Sequence, residues 1–189
     1  MLRFLGKALL AAAFVVAAYI VWLLWGTGIY TARQQDTLRQ EITARIEDPR
    51  PAPGAPVPGL AYAILEIPSI EVDEVVVEGT DTETLKKGPG HYDKTSDPWE
   101  PTGRVGIAGH RTTYGAAFWD LDKVQRGDEI TLRTELGTFE YGVTEVEEVL
   151  PTQVEVLRDT NEPSLILTTC APKYSAALRL IVVAERLNV

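Results

Sequence analysis

Cysteine and histidine are scarce in this chain: one cysteine and two histidines among 189 residues. A single thiol excludes an internal disulfide framework, which leaves Cys170 as an intermolecular link or a reactive group. Basic patches are also missing. The formal net charge is −9, and no segment concentrates Lys and Arg, which argues against a partner presenting a phosphate backbone; no nucleic acid is expected. No internal repeat is evident. Charge of either sign is absent from Ala8 to Ala32, and that gap divides the chain.

Ala8 to Trp25 would span roughly 27 Å as a helix at about 1.5 Å per residue, close to the apolar thickness of a bilayer. Trp22, Trp25 and Tyr30 stand at its far end, where amphipathic rings favour the headgroup layer. The run exceeds a usual signal-peptide core, and no small-x-small cleavage site follows it before Arg33, so an uncleaved anchor is expected. Arg3 and Lys7 precede it and place the N-terminus in the cytoplasm by the positive-inside rule. The reading is a single-pass protein of the plasma membrane with its bulk outside the cell.

Thr31 to Glu47 reads as a short polar helix with one weak stripe, Leu38, Ile42 and Ile46, acting as a solvated stalk. Asp48 to Gly59 holds Pro49, Pro51, Pro53, Pro56 and Pro58, a density that forbids helix and favours an extended spacer. The expected organisation is therefore residues 1–32 as cytoplasmic tip and anchor, 33–59 as stalk and linker, and 60–189 as the folded domain. In that domain, strands are predicted at Ala61–Ile67, Glu71–Glu78, Arg104–Ala108, Glu129–Thr134, Phe139–Val143, Ser164–Thr169 and Ala177–Glu185. The last two are apolar on both faces, as buried strands are. Helical pieces are predicted only at Asp81–Lys86, Ala117–Val124 and Thr152–Val156. Many short strands with Gly and Pro between them point to a sandwich or a barrel.

Chemistry concentrates in three places. Cys170 closes the run Ser164–Thr169, His110 follows Arg104–Gly109, and Arg179 interrupts the apolar run Leu178–Ala184. A thiol with a pKa of roughly 8.5 is only a few per cent thiolate at neutral pH, so it needs a base. Histidine can take its proton and later protonate a leaving amine. Arginine stays charged and presents a rigid fork of donors to a developing oxyanion. Together they are the parts of a thiol acyl-transfer site.

Leu167-Thr168-Thr169-Cys170 resembles the Thr-Leu-x-Thr-Cys signature of sortases, the membrane-anchored cysteine transpeptidases of Gram-positive bacteria, with Ile166 in place of the first threonine. Gly109-His110-Arg111-Thr112-Thr113-Tyr114-Gly115 is similar to the segment around their catalytic histidine. Leu178-Arg179-Leu180-Ile181-Val182 matches their final-strand arginine, and Ile67-Pro68-Ser69-Ile70 an entry motif of their barrel. The resemblance covers about residues 60 to 189. It implies an all-β fold, a closed barrel of about eight strands with short helices behind an N-terminal transmembrane helix. It further implies Cys170 as nucleophile, His110 as general acid/base and Arg179 as oxyanion stabiliser.

The same resemblance supplies a substrate. Sortases cleave a C-terminal sorting signal after its threonine, form a thioacyl enzyme, and pass the acyl group to an amine such as that of a lipid II-like cell-wall precursor. His110-Arg111-Thr112-Thr113-Tyr114-Gly115 is most like actinobacterial class E sortases, with class D next. Class E is associated with Leu-Ala-x-Thr-Gly rather than Leu-Pro-x-Thr-Gly signals, and Tyr114 would help read the second signal position. Thr169 would shape oxyanion or substrate contacts. A pilus-polymerising sortase and an inactive, cell-wall-binding barrel stay open as alternatives.

Other features carry less. His91, in Gly88-Pro89-Gly90-His91-Tyr92, reads as part of a tight turn rather than a proton carrier. Asp97-Pro98-Trp99 resembles the lid of pilin-polymerising sortases, but theirs lies before the barrel, so a surface turn is expected here. Glu145, Glu147, Glu148, Asp120 and Asp122 lack the spacing of a calcium loop and read as a solvated face. No cofactor or metal is implied.

Overall fold

Strands apolar on both faces need cover on both sides, and a barrel under a docked helix provides it. A computed structural model describes residues 2–48 and 55–187, the side chains of Leu2, Leu24 and Trp25 excepted. The strands are β1 (Ala61–Ile67), β2 (Val72–Glu78), β3 (Gly90–His91), β4 (Arg104–Ala108), β5 (Glu129–Thr134), β6 (Gly137–Val149), β7 (Ser164–Ala171) and β8 (Leu178–Arg186). They close into a barrel in the order β1-β2-β3-β4-β7-β8-β6-β5, with β5 returning to β1. β2–β3 and β4–β7 are parallel, and the other pairs antiparallel. The expected all-β closed barrel is what forms.

The barrel interior is filled by Leu65, Ile67, Val76, Ile107, Ile130, Leu132, Tyr141, Leu165, Leu167 and Val182, with Phe118 and Leu121 plugging it from the loop after β4. On the outer wall, Ile166 and Ile181 pack with Val149 beneath Val156 and Leu157. That apolar setting explains why isoleucine serves at position 166, where the signature has threonine.

Two expectations are corrected. Gly88–Tyr92 is not simply a turn: Gly90 and His91 form β3, bridging Val77–Glu78 of β2 and Ile107–Ala108 of β4. Two residues show no periodicity, so alternation could not reveal them.

The stalk is the second correction. Helix α1 (Leu2–Val21) passes through a π-helical turn, Trp22–Gly26, into α2 (Thr27–Glu47). α2 lies on the barrel, burying Leu38 and Ile42 against Ala61, Ile64, Val75 and Val77. Burying two such side chains contributes about 1.5–3 kcal/mol each. Thr27, Thr31 and Gln35 extend the same buried face, so the stripe is longer than its apolar part. Arg39 closes on Asp73 at 2.9 Å.

α1, from Arg3 to Val21, is long and apolar enough to cross a membrane and buries none of its surface in the protein. Trp22 and Tyr30 are exposed beyond it; the Trp25 ring, like Pro49, Pro51 and Pro53 of the linker, lies outside the described residues. A short helix, α3 (Thr82–Leu85), is capped by Asp81, which accepts from the Glu83 and Thr84 amides.

Candidate active site

Three segments converge at one end of the β4–β7–β8 wall. In the antiparallel β7–β8 ladder Cys170 is paired directly with Arg179. Opposed residues put their side chains on the same face of a sheet, with Cα atoms roughly 4.5–5.5 Å apart. The parallel β4–β7 register ends with Ala108 beside Thr168, two residues before His110 on one chain and before Cys170 on the other. That extension is stitched in place: the Gly109 amide donates to the Thr168 carbonyl at 3.0 Å, and Thr169 Oγ1 donates to the Gly109 carbonyl at 2.8 Å. These two bonds hold Gly109, and with it the start of the His110 loop, against the end of β7 that carries Cys170, although His110 lies sixty residues from Cys170 in sequence.

Gly109 is required by space. A Cβ there would lie 2.5 Å from Phe118 Cδ2, and Phe118 is fully buried. The ring holds the His110 backbone from below, and the Phe118 amide donates to the His110 carbonyl at 3.2 Å. Burial pushes the pKa of His110 below its usual value, which favours the neutral imidazole, the form that can accept a proton.

Arg179 is only partly buried, and its Nη1 donates to the carbonyls of Ala176 (3.2 Å) and Leu178 (3.1 Å). The loop itself compensates much of the cost that its charge would otherwise carry on an apolar strand. Tyr114 stands beside His110 with ring centroids 5.2 Å apart, and Lys86 Nζ lies 5.9 Å over the tyrosine ring. Thr169 differs from expectation. It is 3% exposed, alternates away from Cys170, and spends its hydroxyl on Gly109. Its hydroxyl ties the end of β7 to the histidine segment.

Arg111 was not singled out by sequence. It is buried, its Nε donates to the Trp119 carbonyl at 2.8 Å, and its Nη2 pairs with Asp122 at 2.8 Å. It closes the loop that carries His110 on itself. An arginine directly after the histidine, with an acid eleven residues on, was the available signal.

His91 is buried with Nδ1 2.8 Å from Glu78 and Tyr62 stacked on it at 4.2 Å. Its partners are none of the site residues. Asp97 accepts from the Tyr62 hydroxyl at 2.7 Å, and the Pro98 carbonyl accepts from Arg186. The Asp97–Trp99 turn is therefore tied to the start of β1 and the end of β8, whereas Cys170 is the penultimate residue of β7. Asp120 is taken by Lys123 and Lys173, and Asp122 by Arg111.

A family model for the sortase domain matches residues 65–187. The chain belongs to the sortase family. Sortase D of Bacillus subtilis is 32% identical over 95% of this chain and 96% of its own. Sortase SrtE1 of Streptomyces coelicolor is 28% identical over 95% of this chain, which spans only 55% of that longer relative. Among solved structures, a sortase D5 transpeptidase of Clostridium perfringens superposes with a TM-score of 0.66 at 26% identity, covering 86% of this chain and 99% of that one. Sortase E1 of S. coelicolor, solved with a tripeptide in its active site, superposes at 0.64 with 29% identity, covering 71% of this chain and 92% of that one. These relatives are consistent with the likeness to classes E and D seen in the His110 segment.

Proposed function

We propose that this sortase is a cysteine transpeptidase of class E type, held on the outer face of the plasma membrane by α1, with its N-terminus in the cytoplasm. Its substrates are secreted proteins ending in a Leu-Ala-x-Thr-Gly or Leu-Pro-x-Thr-Gly signal. The observation that carries the reading is the cross-strand pairing of Cys170 with Arg179, beside the Gly109 segment that leads into His110.

Each residue then has a step. Neutral His110 takes the Cys170 proton as sulfur attacks the threonine carbonyl. The tetrahedral oxyanion is met by the Arg179 donors not spent on Ala176 and Leu178. The Thr–Gly C–N bond breaks, His110 returns its proton to the glycine amine, and a Thr–Cys170 thioester remains. An acceptor amine, that of a lipid II-like precursor, attacks the thioester while His110 takes its proton. The new amide forms and the thiol is regenerated. Tyr114 lines the groove where the second signal position rests.

The test uses the full chain in detergent micelles, a signal peptide and intact-mass detection. Wild type should show an adduct on Cys170 equal to the peptide minus its glycine and following residues, discharged faster when an amine is added. Cys170→Ala should show neither adduct nor cleavage while keeping its fold. Cleavage by the alanine variant at wild-type rate would end the assignment.

A further inference from the structure

The loop after His110 runs through three consecutive left-handed residues: Tyr114 (φ 51°), Gly115 (φ 77°) and Ala116 (φ 48°). Glycine adopts that conformation freely, but tyrosine and alanine do so only where the surroundings impose it. What surrounds this loop is the start of α2. The Tyr114 amide donates to Thr27 Oγ1 at 3.1 Å, and the same hydroxyl donates to the Leu23 carbonyl in the π turn at 2.9 Å. A Cβ on Gly115 would approach Thr31 Cγ2 to 3.2 Å, so helix and loop are in close contact at that point.

The rest of the buried polar stripe bonds to β2 and to the segment that follows α3. Thr31 Oγ1 donates to the Lys86 carbonyl at 2.7 Å. Gln35 Nε2 donates to the carbonyls of Val75 and Lys87, both at 2.9 Å, while its Oε1 accepts the Val75 amide at 2.7 Å. Lys86 is the residue whose ammonium lies over Tyr114. Apolar residues at these positions would have bound the helix as firmly. Polar ones, each satisfied by a specific backbone group, fix where it sits.

We propose that α2 is a positioning element of the sortase site, with Thr27 the positioning residue that holds Tyr114 in its left-handed conformation and, through Tyr114, sets His110 against Cys170. The anchor side of the chain is then part of the catalytic apparatus and not only a tether. Residues 1–32, which a stalk would make dispensable for chemistry, include a residue that chemistry needs. The inference rests on the transpeptidase reading for its kinetic arm alone.

The experiment compares full chains in the same micelles: wild type, Thr27→Val, Thr27→Ser and Thr37→Val. Thr37 makes the equivalent bond to its own helix, at Arg33, from an exposed position, and serves as control. Thr27→Val keeps shape and loses the acceptor. Its kcat/KM on a signal peptide should fall roughly five- to thirty-fold, with KM rising as Tyr114 leaves the groove. Thr27→Ser should return to within about two-fold of wild type, and Thr37→Val should match it.

The second readout needs no substrate: the rate of Cys170 alkylation against pH. In Thr27→Val the inflection due to His110 should move up toward the ordinary histidine value as the loop loosens and water reaches the ring. Valine with unchanged kinetics and unchanged profile would overturn the proposal. So would serine no better than valine, or equal damage from Thr37→Val. A wild-type chain that cleaves no signal peptide would defeat the transpeptidase reading instead, and the alkylation profiles would still decide the role of Thr27.

Discussion

Gly109→Ala places one methyl group where the structure has no room for it. The added Cβ would sit 2.5 Å from Phe118 Cδ2, 2.7 Å from Cε2 and 3.0 Å from Cγ. Carbon atoms at rest are about 3.5–4.0 Å apart, so ring and backbone must separate by roughly 1 Å. Phe118 is fully buried among barrel residues and has nowhere to retreat. Overpacking of this kind costs about 1–3 kcal/mol. For a chain of this size, about 2–4 °C in Tm per kcal/mol gives a loss of about 2–12 °C. The strain falls on the segment bonded to Thr168 and Thr169, so His110 is displaced and Cys170 alkylation should lose its histidine-dependent inflection. Phe118→Leu removes the colliding edge at a cost of its own of about 1–2 kcal/mol for the space it leaves. The double variant should be more stable than the sum of the singles by at least about 0.5–1 kcal/mol. Near-UV circular dichroism melts of the four proteins in micelles give the cycle. Gly109→Ala melting within 1 °C of wild type, or strict additivity with Phe118→Leu, would refute the packing argument.

Arg111→Met removes the bonds to the Trp119 carbonyl and Asp122. Because Asp122 is half exposed and stays solvated, the expected loss is only about 2–3 kcal/mol, read as a drop in Tm of about 4–12 °C. Arg179→Lys keeps the charge and loses the fork, so turnover should fall by roughly two orders of magnitude while Cys170 remains alkylatable; a lysine variant near full activity would show that charge alone suffices. His110 has a folded pKa lowered by burial, so between that value and about 6.5 the unfolded chain binds more protons than the folded one. Stability should therefore be full above about pH 6.5 and decline as pH falls through the window. The decline should be shallower in His110→Gln, as urea titrations at a series of pH values would report.

Much of the barrel was legible because its strands are long enough to show their pattern. β1, β4 and β5 begin and end where alternation and flanking turns put them. β6 runs on to Val149 because Glu145, Glu147 and Glu148 face solvent on a strand; acidic residues do not end a ladder whose backbone bonds continue to β8. β3 was hidden by its length. α2 was misjudged for a different reason: its buried face is half polar, and sequence shows only that Thr27, Thr31 and Gln35 are hydrophilic. What they bond to is backbone, at Tyr114, Lys86, Val75 and Lys87, and backbone acceptors leave no trace in side-chain patterns. The same blindness applies to Arg179, whose cost is met by carbonyls three and one residues before it, and to Thr169, whose hydroxyl is committed to Gly109.

β4 and β7 run parallel, and a parallel pair cannot be made by a hairpin. Between Ala108 and Ser164 the chain must first lay down β5 and β6 on the far side of the barrel. Closure of so long a loop is entropically unfavourable and slow. Until then His110 and Cys170 are strangers in solution, and the thiol has no base beside it. On the roles proposed here, the unfolded chain carries a sulfhydryl that is mostly protonated and has no general base to activate it. Reactivity then waits on the pairing of β4 with β7, so folding gates the chemistry.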